Sequence, residues 1–353
     1  MAAKTALIAG ATGATSKRLV EVLLEDGWQV IGLSRHPPAT SSHPRLSYVR
    51  ADLLDREGCA RALATAKGVT HLFYTARAEF GEGGVEDVER NVAMLRNVLD
   101  AAEAAAPDLE HVHLVEGQKW YDVRLRPPRT PTREDDPRHM PPNFYYDQED
   151  FLRERQQGKA WHWTALRPEA TIGFGLGNPM NLGMSIAVYA AISKELGLPL
   201  RFPGTEKTYG ILYQVTSAEI LAKATTWAGQ SEAAKNEIFN ITNGDYFRWK
   251  YLWPRIAAMF DMPAADPIPT PLTVYMADKK PVWETIVRKH GLQPLPYEQV
   301  SSWPFADAVL RLMEYDNITS TIKARHAGFH DCIDTEEMFS KFFKNLRQMQ
   351  VIP

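Results

Sequence analysis

The sequence predicts an α/β fold: a doubly wound parallel sheet in the first half, followed by a smaller, mostly helical lobe. Three observations predict it. Short β-type runs alternate with amphipathic helical stretches as far as about Arg167, a glycine turn joins the first strand to the first helix, and beyond Arg167 the alternation gives way to clustered prolines and tryptophans. Strand and helix alternating at this spacing imply βαβ units with helices on both faces of one sheet.

The elements follow in order. Thr5–Ile8 is a buried-strand run, and the helix Lys17–Glu25 comes after the glycine turn. Gln29–Leu33, Leu46–Val49 and His71–Thr75 are the second, third and fourth strands. Helical periodicity is clearest in Val88–Ala106, where Val92, Leu95, Val98 and Leu99 share one face. His111–Val115 and Trp163–Leu166 complete the apolar strands. Pro127–Pro142 forms a long loop, and loops of that length are usually functional or mobile. Residues 1–175 are read as one domain and 176–353 as a second lobe, with some later segments returning to the first. Asn178–Leu200, Phe202 and the tryptophans could form an apolar wall for a substrate, or simply the core of that lobe.

Composition bounds the function. With 40 Lys and Arg against 43 Asp and Glu, the net charge is −3, which argues against a nucleic-acid partner. The longest apolar run, Met184–Ile192, is far short of the ~20 residues a membrane span needs. The N-terminus reads directly as a strand, with no signal peptide, so a cytoplasmic protein is expected. Two cysteines, Cys59 and Cys332, fit a reducing compartment, and the scattered histidines show no metal-ligand spacing.

The turn Gly10-Ala11-Thr12-Gly13-Ala14-Thr15-Ser16 follows a strand and opens a helix. Glycines there let backbone N–H groups approach a pyrophosphate at the positive end of the helix, so Gly10, Thr12, Gly13, Ala14 and Thr15 are candidate cofactor residues of a Rossmann-type domain. The spacing Gly-x-x-Gly is that of short-chain dehydrogenases, with Ser16 at the place of their third glycine. At the end of the second strand an NAD protein carries Asp or Glu for the ribose 2′-hydroxyl. Gly27 to Ala51 holds no acidic residue, and Ser34, Arg35 and His36 stand at the expected place. A guanidinium pairs with a 2′-phosphate where a carboxylate would repel it, so NADPH is the expected cofactor. By position, Asp52 and Leu53 would meet the adenine, while Tyr74, Thr75 and Ala76 lie along the phosphate–ribose track.

Short-chain dehydrogenases normally carry Tyr-x-x-x-Lys on one helix. Only Tyr246–Lys250 and Tyr275–Lys279 have that spacing, and both fall in the second lobe, away from the expected nicotinamide site. After the fifth strand comes Asn143-Phe144-Tyr145-Tyr146, with Glu149 and Asp150 where the lysine would be. A lysine does occur at the fifth strand's end, in Gly117-Gln118-Lys119-Trp120-Tyr121, where it would point into the ligand crevice.

This arrangement resembles the progesterone 5β-reductase/iridoid synthase-like family, a divergent branch of the extended short-chain dehydrogenases. The resemblance spans nearly the whole chain. It rests on GATGATS at 10–16, SRHP at 34–37, NVAMLRNVLDA at 91–101, GQKWY at 117–121, NFYYDQEDFL at 143–152, LRPEATIGF at 166–174 and KKPVWETIV at 279–287. The chain departs from the family's pattern at Ser16 and at Ser34-Arg35-His36, where two adjacent arginines are usual. The resemblance implies Lys119 and Tyr146, the second tyrosine of the pair, as catalytic residues. It also implies Tyr146 and Ile172 as cofactor contacts. Tyr145 is the neighbouring alternative, since adjacent helical residues point about 100° apart.

The expected reaction is NADPH-dependent reduction of the C=C bond of a 1,4-enone, of steroid, terpenoid or small cyclic type. A phenol would act as oxyanion donor to the developing enolate. Two other readings share the fold: a nucleotide-sugar epimerase or dehydratase, and a non-catalytic NADP sensor that binds a protein partner. The oligomeric state is open, a homodimer being one option.

Overall fold

A computed structural model describes residues 4–41, 43–64, 66–78, 85–123, 125–178 and 180–353. Its centre is a parallel sheet that includes β1 (Thr5–Ala9), β2 (Gln29–Ser34), β3 (Leu46–Arg50), β4 (His71–Tyr74), β5 (His111–Val115) and β6 (His162–Pro168). A seventh strand, Glu237–Ile241, comes from late in the chain and pairs in parallel with β6. From one edge the order is Glu237–Ile241, β6, β5, β4, β1, β2, β3. The order reverses between β1 and β4, and ligands of such sheets bind outside the strands' carboxyl ends at that switch point.

Side-chain alternation explains the two layers. Leu72 and Tyr74 of β4 pack with Leu95, Val98 and Leu99 of α3 (Val88–Ala105) on one face. Phe73 turns to the other face and meets Leu19 and Leu23 of α1 (Ala14–Glu25). The sheet is therefore apolar on both sides, as a doubly covered parallel sheet must be. Local chemistry sets the helix starts: Asp55 accepts from Gly58 N–H (2.8 Å) to cap α2 (Arg56–Leu63), and Asp87 accepts from Arg90 N–H (3.0 Å) to cap α3. Each such cap contributes about 1 kcal/mol.

The second lobe has its own core. α5 (Leu182–Glu195) is buried along nearly its whole length and packs among Phe202, Trp249, Trp253, Trp283, Phe339 and Phe343. Those rings are almost fully buried, so the tryptophans and Phe202 build the lobe's interior rather than a ligand wall. A boundary at residue 175 divides the chain in sequence but not in space. The helix Ala218–Ala228 lies against α1, and the strand Glu237–Ile241 extends the sheet, so this stretch returns to the first domain.

The Pro-rich loop is pinned across the two halves. Thr132 pairs with the Ile318–Ser320 backbone, and Glu134 Oε1 accepts from Asn240 N–H (2.8 Å). Asn240 and Asn317, each the first residue of an Asn-Ile-Thr run, are fully buried. Among the described residues no helix is long and apolar enough to cross a membrane, and no cluster of His, Cys, Asp and Glu could hold a metal.

Candidate active site

The glycine turn sits at the carboxyl end of β1. Gly10 adopts φ +88°, and a Cβ there would lie 3.2 Å from the backbone of Ala76, so glycine is required by conformation and by space. Gly13 precedes α1 and, among the described residues, no side chain caps that helix. Its first-turn N–H groups are thus left to an outside acceptor. Ala14 is pressed by Gly175, where a Cβ would fall 2.5 Å from the Ala14 Cβ. Ser16 replaces the third glycine at no cost in packing: it is buried, and its hydroxyl bonds Thr75 Oγ1 at 2.6 Å. A glycine cradle with an uncapped helix start fits a dinucleotide's pyrophosphate.

The strand ends beside this cradle sort the remaining candidates. Thr12 Oγ1 bonds Ser34 Oγ (3.1 Å), and Ser34 Oγ also accepts from His36 N–H (3.2 Å), which closes the β2 end against the turn. Arg35 and His36 are exposed there, available to a ribose phosphate. Asp52 is exposed, whereas Leu53 is buried against α3, with its carbonyl accepting from Asn97 (2.9 Å). Thr75 and Ala76 line the cradle through their contacts with Gly10. Two expected contacts are corrected as side chains. Tyr74 points into the α2–α3 layer because strand residues alternate, and Ile172 is packed in the second lobe's core beside Gly183.

At the tips of β5 and β6 the structure places the expected catalytic residues and the alternative Tyr145 as follows. Lys119 lies on the short turn Gln118–Tyr121 that follows β5. Its Nζ stands 3.9 Å from the Phe144 ring centroid and 4.4 Å from that of Tyr145. The Tyr145 hydroxyl reaches the β5 tip, 3.4 Å from where a Cβ on Gly117 would sit, and Pro168 O at the end of β6 is 3.7 Å from the same point. Tyr146 meets the same turn one residue on, at Trp120. Its hydroxyl donates to Trp120 O (2.8 Å) and accepts from His139 N–H (3.2 Å), which fastens the Pro-rich loop to the helix. Burial, with Asp122 close by, holds that phenol above its usual range. The difference is helical: two adjacent residues of α4 (Phe144–Gln156) face different neighbours, Tyr145 meeting Gly117 and the Lys119 amine and Tyr146 meeting Trp120 on the same turn.

Sequence reasoning missed the residues that hold Lys119. Asn143 Oδ1 caps α4 at Tyr145 N–H (3.3 Å) and accepts from Lys119 Nζ (2.8 Å), while its Nδ2 donates to Lys119 O (3.0 Å). Asn before a helix is a cap signal, so that part was readable. Glu86 forms an ion pair with Lys119 from a distant loop, and nothing in the local sequence announces it. Tyr246 and Tyr275, the tyrosines with lysine four residues on, lie exposed on the second lobe and are not part of this site.

The PRISE-like Rossmann-fold domain matches residues 50–353. An (S)-8-oxocitronellyl enol synthase of Camptotheca acuminata is 38% identical, over 99% of this chain and 93% of the relative. A 3-oxo-Delta(4,5)-steroid 5-beta-reductase of Arabidopsis thaliana is 35% identical, again over 99% of this chain and 93% of the relative. Among solved structures, the UDP-glucose 4-epimerase of Thermus thermophilus in complex with NAD superposes with a TM-score of 0.65, covering 97% of this chain and 99% of that one. At 18% identity that likeness concerns the fold alone. A family match over residues 50–353 and relatives above 30% identity over nearly the full chain establish the family: the chain belongs to the PRISE family of Rossmann-fold proteins.

Proposed function

We propose that this protein is an NADPH-dependent ene-reductase acting on 1,4-enones, with Lys119 and Tyr145 at the reacting end of the substrate. The observation that carries the reading is the convergence of a strand-tip amine and a helix phenol at the carboxyl end of β5, in the sheet whose β1 end carries the glycine turn. The relatives named above as enol synthase and steroid 5-beta-reductase support it.

Gly10, Thr12, Gly13 and Ala14 would hold the pyrophosphate and Arg35 the 2′-phosphate. Bound in that crevice, the reduced nicotinamide supplies the hydride that the enone's β-carbon accepts. The chain's own work is done at the carbonyl. Tyr145 donates its O–H to the oxygen on which negative charge collects, and Lys119, held at the face of the Tyr145 ring, adds positive field there. A preorganised donor of this kind contributes roughly 10²–10³ in rate. The α-carbon of the enolate then takes a proton from solvent. The epimerase reading needs a lysine four residues after the tyrosine; Glu149 stands there instead, bonded to Arg167 at 2.8 Å.

The test is NADPH oxidation by the purified protein in the presence of progesterone or 2-cyclohexen-1-one. Consumption with the saturated ketone as product is expected. Tight NADPH binding without consumption across a panel of enones would refute the reading and favour the sensor.

A further inference from the structure

Arg167 ends the β6 core with a side chain fully buried among charged partners. Its Nε donates to Glu116 Oε2 at 2.7 Å and its Nη2 to Glu149 Oε2 at 2.8 Å. Nη1 donates to the Tyr121 hydroxyl (3.2 Å) and to Glu134 O (3.3 Å). The guanidinium also lies 3.5 Å from the Trp120 ring centroid, and the Trp120 indole N–H donates to the same Glu149 oxygen at 3.2 Å.

These partners bracket one residue. Glu116 precedes the β5 turn, Trp120 and Tyr121 close it, and Lys119 lies between them. Glu149 is one helical turn beyond Tyr145 on α4. A single guanidinium therefore grips both ends of the turn that bears the amine and also the helix that bears the phenol. The arrangement is costly, because two carboxylates and a guanidinium are held away from water, although Glu149 Oε1 also meets the half-exposed Arg153 (2.9 Å) and Arg138 (3.4 Å). Glu116 Oε1 is buried without a hydrogen-bond partner among the described residues, and burial, opposed by Arg167, pushes the Glu116 carboxyl up to about 7. Well-packed apolar side chains would fill such a place as stably, so stability alone does not account for the cluster.

We propose that Arg167 is a positioning residue: through Glu116, Trp120 and Tyr121 it fixes the turn that presents Lys119, and through Glu149 it locks that turn to the helix that presents Tyr145. The assignment deepens the reductase reading and rests on it for the kinetic half of its test. In this protein Glu149 takes the place of the helix lysine of other short-chain dehydrogenases, and its task is to hold the lysine supplied by the strand.

The experiment removes the clamp without leaving a lone buried charge. The variant Glu116→Gln/Glu149→Gln/Arg167→Met is compared with the parent, each also in a Lys119→Met background. NADPH affinity should be unchanged and kcat should fall about 10²-fold, the scale for misplacing a catalytic group by an ångström. In the Lys119→Met background the same three changes should add almost nothing, since the clamp acts through that lysine. A full additional loss there would mean a general structural defect and would overturn the proposal, as would a parental kcat.

The second readout needs no turnover. Acetylation of Lys119 by acetic anhydride, followed by peptide mass spectrometry, should be several times faster in the triple variant, and unchanged labelling refutes the clamp. A parent that reduces no enone but shows faster labelling on release of the clamp sinks the reductase reading and leaves the positioning role standing. If the triple variant does not fold, the isosteric Glu149→Gln, which keeps the Arg167–Glu116 pair, takes its place: Lys119 labelling rises or the proposal fails.

Discussion

Replacing each of two adjacent tyrosines by phenylalanine separates chemistry from architecture. Tyr145→Phe deletes one hydroxyl and leaves the ring, which packs edge-on to Phe144 (4.5 Å between centroids) and carries Lys119 Nζ at 4.4 Å. The cation–π contact, worth about 0.5–1 kcal/mol, survives. What is lost is a donor aimed at the strand tips, so kcat for enone reduction should fall about 10²–10³-fold, or roughly 3–4 kcal/mol of transition-state stabilisation. Binding of NADPH should barely move.

Tyr146→Phe deletes a hydroxyl that satisfies Trp120 O (2.8 Å) and His139 N–H (3.2 Å). Its ring keeps the edge contact with Trp120 (5.2 Å) and the stacked Arg138 (5.1 Å). The unmet carbonyl costs about 1–3 kcal/mol of stability, seen as a lower denaturation midpoint, with kcat reduced much less than in the neighbouring variant. Steady-state NADPH oxidation and urea unfolding of both proteins settle the assignment. A dead Tyr146→Phe beside a nearly active Tyr145→Phe would refute it and return the catalytic role to Tyr146.

Three further outcomes are expected. Arg35→Ala should raise KM for NADPH far more than KM for NADH, and equal effects would remove Arg35 from 2′-phosphate recognition. Asn143→Ala should lower both stability, by about 1 kcal/mol for the lost helix cap, and kcat, because Asn143 also binds the Lys119 amine and carbonyl; an unchanged kcat would show that Lys119 does not depend on it. Glu169 is fully buried beside the β6 tip, where burial outweighs its bonds to Ala170 N–H, Tyr213 and Asn317 and raises its carboxyl to about 8. A carboxyl raised on folding gives stability that is complete below its unfolded pKa and is lost as pH rises through the folded value. Unfolding free energy should therefore decline between about pH 4.5 and 8, by at most about 1.4 kcal/mol per pH unit for this group, and Glu169→Gln should flatten that decline. A variant with the parental pH slope would contradict this.

How much of this was legible in the sequence depends on how local the cause is. The six strands β1 to β6 follow from apolar runs between turn signals, and the structure agrees to within a few residues at each end. The glycine cradle follows from Gly10 and Gly13, whose roles are conformational and need no distant partner. The strand Glu237–Ile241 was not legible: its apolar residues are interrupted by Asn240, and only pairing with β6, some seventy positions earlier, makes it part of the sheet. The tryptophans beyond Arg167 marked a second lobe, but composition alone does not tell core from pocket wall.

The Tyr145 and Tyr146 choice shows the limit most clearly. The motif fixes a pair of phenols, and the helix separates their directions, yet which of them meets the amine depends on how α4 is rolled against the tips of β5 and β6. That roll is set by contacts invisible to any local window. Glu149 bonds to Arg167 eighteen residues later in sequence, and Asn143 reaches back to Lys119 twenty-four residues earlier. A charged residue within an apolar strand, as Arg167 is in β6, was the one readable warning. Buried charges persist only where they are paired, so an arginine there requires acidic partners from other elements. Glu116, at the end of the neighbouring strand, and Glu149, where the usual helix lysine is missing, are those partners. The missing lysine and the buried arginine are thus one feature of the chain, since a cation at position 149 would face the guanidinium that now anchors the turn.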